Sequence, residues 1–397
     1  MPTRPPLTHA PAICLLALLL QACALPEAPP ADNERDTLAC PAPGTWAIAG
    51  RESPADTAEV LATVEDADVI LLGEIHDREE DHRWQLHVLA GLHARQPRLA
   101  LGLEMLPARY QDTLDAWVSG ELDEEQLLTR VNWGETWGFP SELYLPALHF
   151  VRMHRVPAVA LNADGETVRR ISREGWEAVP AAEREYIGPP AEVPGAYRDR
   201  LARELENHPV PPGMERDDYL EMFIRGQTAW DRAMAERLAA ASREQDAPVV
   251  GLVGRGHAEF GHGIPHQLHD LGIRDVAVLL AHRPGDACSE NGMRVADALF
   301  GIQDGPLDTG RSAMRLGVTV NETGAGLEVA EIDAQGAAGQ AGVRVGDVIA
   351  AAAGRGVDSR GDLLLVLDRQ RPGSILELKV RREDTTHDIP VRFPGNE

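Results

Sequence analysis

Five short apolar runs without polar alternation, separated by long helical stretches, constrain this chain more than any other feature. They are Val69-Ile70-Leu71-Leu72, Leu99-Ala100-Leu101-Gly102-Leu103, Val156 to Leu161, Val249 to Val253 and Val276 to Leu280. A strand with one wet face alternates polar and apolar residues, whereas a strand covered on both faces does not. Helices between such runs supply both the covers and the crossovers of a parallel sheet. The expected fold class is therefore α/β, a parallel sheet flanked by helices. Residues 105–150 and about 165–247 read as helical insertions into it. In the second of these, Phe223, Gln227, Trp230 and Met234 recur at three- and four-residue steps.

Each run ends in chemistry. Leu72 is followed by Gly73-Glu74-Ile75-His76-Asp77, Leu103 by Glu104, Leu161 by Asn162-Ala163-Asp164, Val253 by Gly254-Arg255-Gly256-His257 and Leu280 by Ala281-His282-Arg283. Open parallel sheets bind ligands beyond the carboxyl ends of their strands, so one shared site is the economical reading. Any single one of these residues could instead cap a helix or sit in a solvated loop. Glu74 and His76 are two apart where a strand ends, so extended geometry projects them to one side. With Glu104 and His257 they form a reasonable divalent-metal set. Equally, Glu104 and His257 could be a general acid/base pair. Glycines on both sides of Arg255 would let a tight turn present it to an anion. None of this fixes a reaction.

Composition narrows the classes. Of 397 residues 43% are hydrophobic, too many for a disordered chain. Outside the first 25 residues no apolar run approaches the roughly 18 needed to cross a bilayer, which excludes a channel or transporter. The formal charge is −25, from 63 acidic against 38 basic side chains, and nucleic-acid binding is disfavoured because such a chain repels polyanions on average. Lys379 is the single lysine, so nearly all positive charge is arginine.

The start of the chain reads as an address. Arg4 precedes the apolar stretch Ala10 to Leu20, which runs into Gln21-Ala22-Cys23, the layout of a secretory signal. Leu20-Gln21-Ala22-Cys23 also resembles a bacterial lipoprotein box, which implies removal of residues 1–22, acylation of Cys23 and membrane anchoring. Ala24, where retained lipoproteins of this kind carry Asp, implies the outer membrane, facing the periplasm. Residues 23–44 are then a proline-rich tether. Cys14 leaves with the signal, and Cys40 and Cys288 either pair in an oxidising compartment or stay as two thiols. No C-x-x-C or C-x-x-C-H pattern is present, so covalent haem attachment and a thiolate-rich zinc site are out.

Residues 286–312 read as a linker to a smaller, β-rich unit at 313–397. Its centre, Gly336-Ala337-Ala338-Gly339-Gln340-Ala341-Gly342-Val343-Arg344-Val345-Gly346-Asp347-Val348-Ile349, followed by Pro372-Gly373, resembles a bacterial PDZ domain. Ala350 to Gly356 departs from the family, which usually has an Asn-Gly turn there. The resemblance implies binding of a protein C-terminus or loop by strand addition, with Arg315, Leu316, Gly317 and Val318 as the carboxylate loop.

Residues 45–285 carry a second resemblance. Gly73-Glu74-Ile75-His76-Asp77 with His82 and Gln85 comes first, then Gly102-Leu103-Glu104-Met105. Trp133 and Trp137-Gly138-Phe139 with Tyr144-Leu145-Pro146 follow, then Ala160-Leu161-Asn162-Ala163 and Gln227 through Ala235. Gly254-Arg255-Gly256-His257 with Gly263-Ile264-Pro265 completes the series. In that order they resemble the ChaN-like haem-binding lipoproteins of the Tiki/TraB superfamily. The resemblance implies an iron-regulated binding protein rather than an enzyme, a possible homodimer with stacked haems, and a tyrosine axial ligand, for which Tyr144 matches the motif. Phenolate is a known haem ligand. Trp133, Trp137 and Phe139 would supply flat walls, His76, Glu104, Arg255 and His257 the rest of the cofactor site, and Arg152 or Arg155 a partner for propionates. Other branches of the superfamily use the elements matching His76, Glu104 and His257 as a metal-dependent protease site. The alternative they imply is a hydrolase with Mn, Co or Zn, to which Glu74 would also contribute. His87 and His93 are expected at the surface.

Overall fold

The computed structural model describes residues 38–395 except 185, 207, 246, 291, 304–313 and 384. Residues 1–22, Cys23 with its expected lipid, most of the tether and residues 304–312 of the expected linker lie outside the described residues.

Among the described residues, the first unit is built on seven strands: β1 (Trp46–Ile48), β2 (Val69–Glu74), β3 (Ala100–Pro107), β4 (Ala158–Asn162), β5 (Val249–Gly254), β6 (Val276–His282) and, after a small hairpin of β7 (Ser289–Glu290) and β8 (Met293–Arg294), β9 (Ala298–Gly301). Their order is β1-β9-β6-β2-β5-β3-β4. The five runs became β2 to β6, and all are parallel to their neighbours. Strand β9 continues the parallel set beside β6, and β1 closes the edge antiparallel to it. Because β9 falls inside 286–312, the first part of the expected linker is sheet. Only four residues long and next to an edge strand, it carries an apolar Ala298-Leu299-Phe300 that is too short to tell from a loop by pattern.

Both sheet faces are covered, which is why the runs do not alternate. Ile70 and Leu72 pack into one core and Val69 and Leu71 into the other. The first layer contains α1 (Thr57–Val64), α2 (Glu79–Arg95) and the insertion α3 (Gln111–Ser119), α4 (Glu124–Arg130), α5 (Trp133–Thr136) and α6 (Ser141–His154). Helices α1 and α4 begin at capping boxes, Asp56 with Glu59 and Asp123 with Gln126. The second layer contains α7 (Gly165–Glu174), α8 (Gly195–Leu205), the long α9 (Arg216–Gln245) and α10 (Ile264–Asp270). A disulfide joins Cys40 to Cys288.

The second unit is a six-stranded sheet of β10 (Val318–Thr323), β11 (Gly326–Ile332), β12 (Val348–Ala352), β13 (Arg355–Gly356), β14 (Ile375–Arg382) and β15 (Thr385–Arg392), with α11 (Ala337–Gln340) and α12 (Arg360–Asp368). The order is β10-β11-β12-β14-β15, with β13 paired to β12, so β10 is an edge strand. A separate core centred on Leu327, Ile349, Leu378 and Val391 holds it together.

Candidate functional site

The carboxyl ends of β2, β3 and β5 bring Glu74, Glu104 and the turn after Gly254 to one place. The carboxyl side chains of Glu74 and Glu104 are both buried there. Glycine at 254 makes the convergence possible: a Cβ on it would stand 2.8 Å from His76 Cε1 and 3.6 Å from Glu104 Oε2. The backbone N–H of Gly254 donates to Glu104 Oε2, anchoring that carboxylate across the sheet.

Two imidazoles face this carboxylate, and each is oriented from behind by another acid. His76 Nδ1 lies 2.6 Å from Glu74 Oε1. His257 Nδ1 lies 2.6 Å from Asp231 Oδ1, while its Nε2 is 3.5 Å from Glu104 Oε1. Burial pushes the Glu74 carboxyl up to about 7. His257 is pulled down by lost hydration, but the Glu104 charge and the Asp231 contact outweigh that and raise it to about 9. At neutral pH His257 is therefore held as a cation between Glu104 and Asp231.

The turn carrying His76 is fixed by α2. Asp81 accepts from the Ile75 N–H, His82 Nε2 is 3.1 Å from the His76 carbonyl, and Gln85 donates to the Leu72 carbonyl. Burial lowers His82 to about 4, so it is neutral.

Aromatic rings wall the site from the insertion. Trp137 and Phe139 stand 4.8 and 4.9 Å from the His76 ring, centroid to centroid. Tyr144 is only 3% exposed. Its ring packs on His82, Trp133 and Trp137, and its hydroxyl donates to the His76 carbonyl at 3.4 Å. Burial and the nearby Glu74 charge push its phenol far above the ordinary tyrosine range. Two buried polar atoms at the site, Glu74 Oε2 and Trp137 Nε1, have no hydrogen-bond partner among the described residues.

The structure thus brings together Glu74, His76, Glu104, His257 and Tyr144. Arg255 it turns elsewhere: the guanidinium meets Glu259 at 3.1 Å and Asp286 at 3.3 Å, so the protein's own acids occupy it. Arg152 and Arg155 donate to the carbonyls of Leu122 and Val118, tying loops together. Asn162 donates to the Glu104 carbonyl at 3.0 Å and accepts from the Ala163 N–H, while Asp164 is the N-cap of α7. His87 is exposed as expected, but His93 is half-buried against Phe150 and His154.

Asp231 carries a role that motif reading left unassigned. Fully buried in α9, it accepts from the Tyr197 hydroxyl at 2.8 Å as well as contacting His257. A signal was present: it lies four residues after Gln227 and three before Met234, a charge inside an apolar helical stripe.

A single metal ion needs donor atoms about 2 Å from itself, hence close to one another. Among the described residues, the His, Cys, Asp or Glu group whose donor atoms lie within 4.8 Å of one another is Cys40, His282 and Cys288, and its two sulfurs are already bonded together. The donors of His76, Glu104 and His257 are not drawn that close.

In the second unit, Gly317 takes φ +77°, a conformation that glycine adopts without strain. Leu316 is buried beneath it and Arg315 is exposed beside it. A groove of about 720 Å³ runs between β10 and α12, lined by Arg315, Leu316, Gly317 and Val318 on one side and Leu363 and Leu367 on the other.

Comparison with known proteins matches these two units separately. Residues 60–268 match the family described as haem-binding uptake, Tiki superfamily, ChaN. Residues 314–392 match the PDZ domain family. A solved structure described as cofacial heme binding to ChaN of Campylobacter jejuni is similar at 19% identity and a TM-score of 0.50, covering 62% of this chain and 92% of that one. The HtrA3 PDZ domain bound to a phage-derived ligand is 19% identical, covering 20% of this chain and 82% of that domain with a TM-score of 0.18. No curated protein matches.

Proposed function

We propose, for a chain that belongs to the ChaN haem-binding uptake family of the Tiki superfamily and carries a PDZ domain, that it binds haem at the strand-end site and recruits a protein partner through its PDZ groove. One observation carries the reading: the tyrosine of the family motif, Tyr144, stands among the aromatic rings that wall His76. The site's role is binding rather than catalysis.

The donor chemistry suits haem, since a phenol among flat apolar rings can ligate iron and cover a porphyrin. As arranged here, the Tyr144 hydroxyl donates to the His76 carbonyl and its ring packs on Trp133 and Trp137, so haem would reach it only with the 133–139 segment moved aside.

The rest of the proposal concerns place. Acylation at Cys23 would anchor the chain in the outer membrane, facing the periplasm. The 17 positions from Cys23 to Cys40 could span at most roughly 60 Å when extended. A homodimer would allow two such sites to face one another.

Titrating haemin into the intact protein is expected to give a tyrosinate-type Soret spectrum that Tyr144→Phe abolishes. An unchanged spectrum in the variant removes Tyr144 from the role, and no Soret band at all removes haem.

A further inference from the structure

The PDZ groove is completed by the other domain. Besides its own walls it is lined by Gly134, Gly138 and Phe139, which belong to the insertion that roofs the strand-end site. The two units meet through α12 and α5. A Cβ on Gly134 would stand 2.8 Å from Leu364 Cβ, and one on Gly361 would run into Asn132 Oδ1, so the helices touch backbone to side chain. Around them the Ser141 N–H donates to Asp368 at 3.0 Å, and Arg355, Arg369 and Arg371 pair with Glu125, Glu124 and Glu142. The PDZ helix therefore grips residues 132–142. Those same residues supply the rings on His76 and Tyr144. Phe139 takes part in both places, lining the groove while its ring lies tilted 4.9 Å from that of His76.

We propose that the groove and the strand-end site are one coupled system, in which a polypeptide C-terminus seated in the groove holds the aromatic roof closed over Tyr144. The occupant is an extended peptide with a free carboxylate and an apolar last residue. Edge strand β10 offers an unpaired side for strand addition. Arg315 beside Gly317 favours an anionic end, and Leu316, Val318, Leu363 and Leu367 favour an apolar side chain. Arg360 donates to the Val320 carbonyl at 2.7 Å, which limits addition to the stretch before it.

The sign of the coupling follows from which form each ligand prefers. A peptide that touches Gly138 and Phe139 binds the closed form better. A ligand that must reach the Tyr144 oxygen binds only when the roof has left. Each therefore weakens the other by the same factor. The haem half of this statement rests on the haem reading above; the peptide half does not. Functionally, docking of a partner's C-terminus would expel the ligand at the moment of contact.

Hydrogen exchange on the intact, ligand-free protein tests it. Gly134→Val wedges α5 away from α12, and the double variant Arg369→Ala/Arg371→Ala removes surface ion pairs without touching either core. Both are expected to speed exchange over 133–139 by about tenfold, since that segment loses its grip. A pool of hexapeptides ending in free-carboxyl valine or leucine should slow exchange over β10 and over 133–139 together; the same pool with amidated ends should do neither. Haemin affinity should rise by about fivefold or more in the variants and fall with the free-carboxyl pool. Unchanged exchange at 133–139 in both variants overturns the coupling, as does a pool that slows β10 alone. A pool that slows neither removes the carboxylate-ended occupant. If exchange responds as expected but haemin binds no form of the protein, the coupling stands and the haem reading falls.

Discussion

Asp231 shows how one buried charge can set the state of a site. With no exposure at all, it is stabilised only by what it touches, the Tyr197 hydroxyl and the His257 imidazole. Removing one partner of such a pair leaves the other buried and uncompensated. Asp231→Asn is therefore expected to cost about 3–5 kcal/mol in urea unfolding. His257, raised to about 9 in the fold, should fall toward its ordinary value when followed by NMR titration. A histidine whose folded pKa is raised contributes stability that is complete below its unfolded pKa of about 6.5 and is lost as pH rises through the folded value. Unfolding free energy should then decline between about pH 6.5 and pH 9, and the decline should flatten in Asp231→Asn. A slope equal in both proteins would show that Asp231 does not hold the charge. Glu74, His76, Glu104 and His257 could be read from the chain because each follows an apolar run, and position at a strand end is a local property. Arg255 follows one too, but Glu259 and Asp286 occupy it, and that pairing exists only in space.

At the scale of elements, the pair of 3-10 turns between β5 and α10 is what aims His257. Gly263 precedes α10 with φ +60° and ψ −125°, a region that only glycine enters without strain. A Cβ there would stand 2.4 Å from the His257 carbonyl oxygen and 2.9 Å from Asp231 Oδ1. Gly263→Ala should cost about 1–3 kcal/mol from the backbone alone, and it should shift the His257 ring resonances while leaving those of the PDZ unit in place. An alanine variant with wild-type stability and an unmoved His257 would show that the turn has slack. Parallel strands β2 to β6 were legible because burial on both faces writes a continuous apolar run. Strands β1 and β9 were not, since three residues at the sheet edge and four beside them leave too short a pattern to tell from a loop. The insertions read as helices by their period, but periodicity does not say that α5 turns its small residue toward another domain; Gly134 gains that meaning only from Leu364 across the contact.

For the whole molecule, the sheet edge depends on a covalent tie. Strand β1 has three residues and is paired through β9 alone, apart from a bridge between Trp46 and Ala55. The Cys40–Cys288 disulfide closes a segment of 248 positions just outside this edge, fastening the end of the tether to the unit it carries. From the sequence the two cysteines could equally have stayed apart, because nothing local tells that the chain's start returns to a position 248 residues later. Cross-linking so distant a pair restricts the unfolded chain strongly, and losing such a bond typically costs about 2–5 kcal/mol. The loss should not spread evenly. The PDZ unit has its own core, so its stability should be unchanged, whereas the first unit should open from the edge inward. Cys40→Ser/Cys288→Ser is expected to lower the urea midpoint of the first unit only, with hydrogen exchange rising first at 44–48 and 298–301 and last at β2 and β5 in the sheet centre. Exchange that rises equally in the centre and the edge would mean that the disulfide supports the whole unit rather than its margin. A fall in PDZ stability would mean that the two units unfold as one, and the α5–α12 contact would then be stronger than a reversible roof allows.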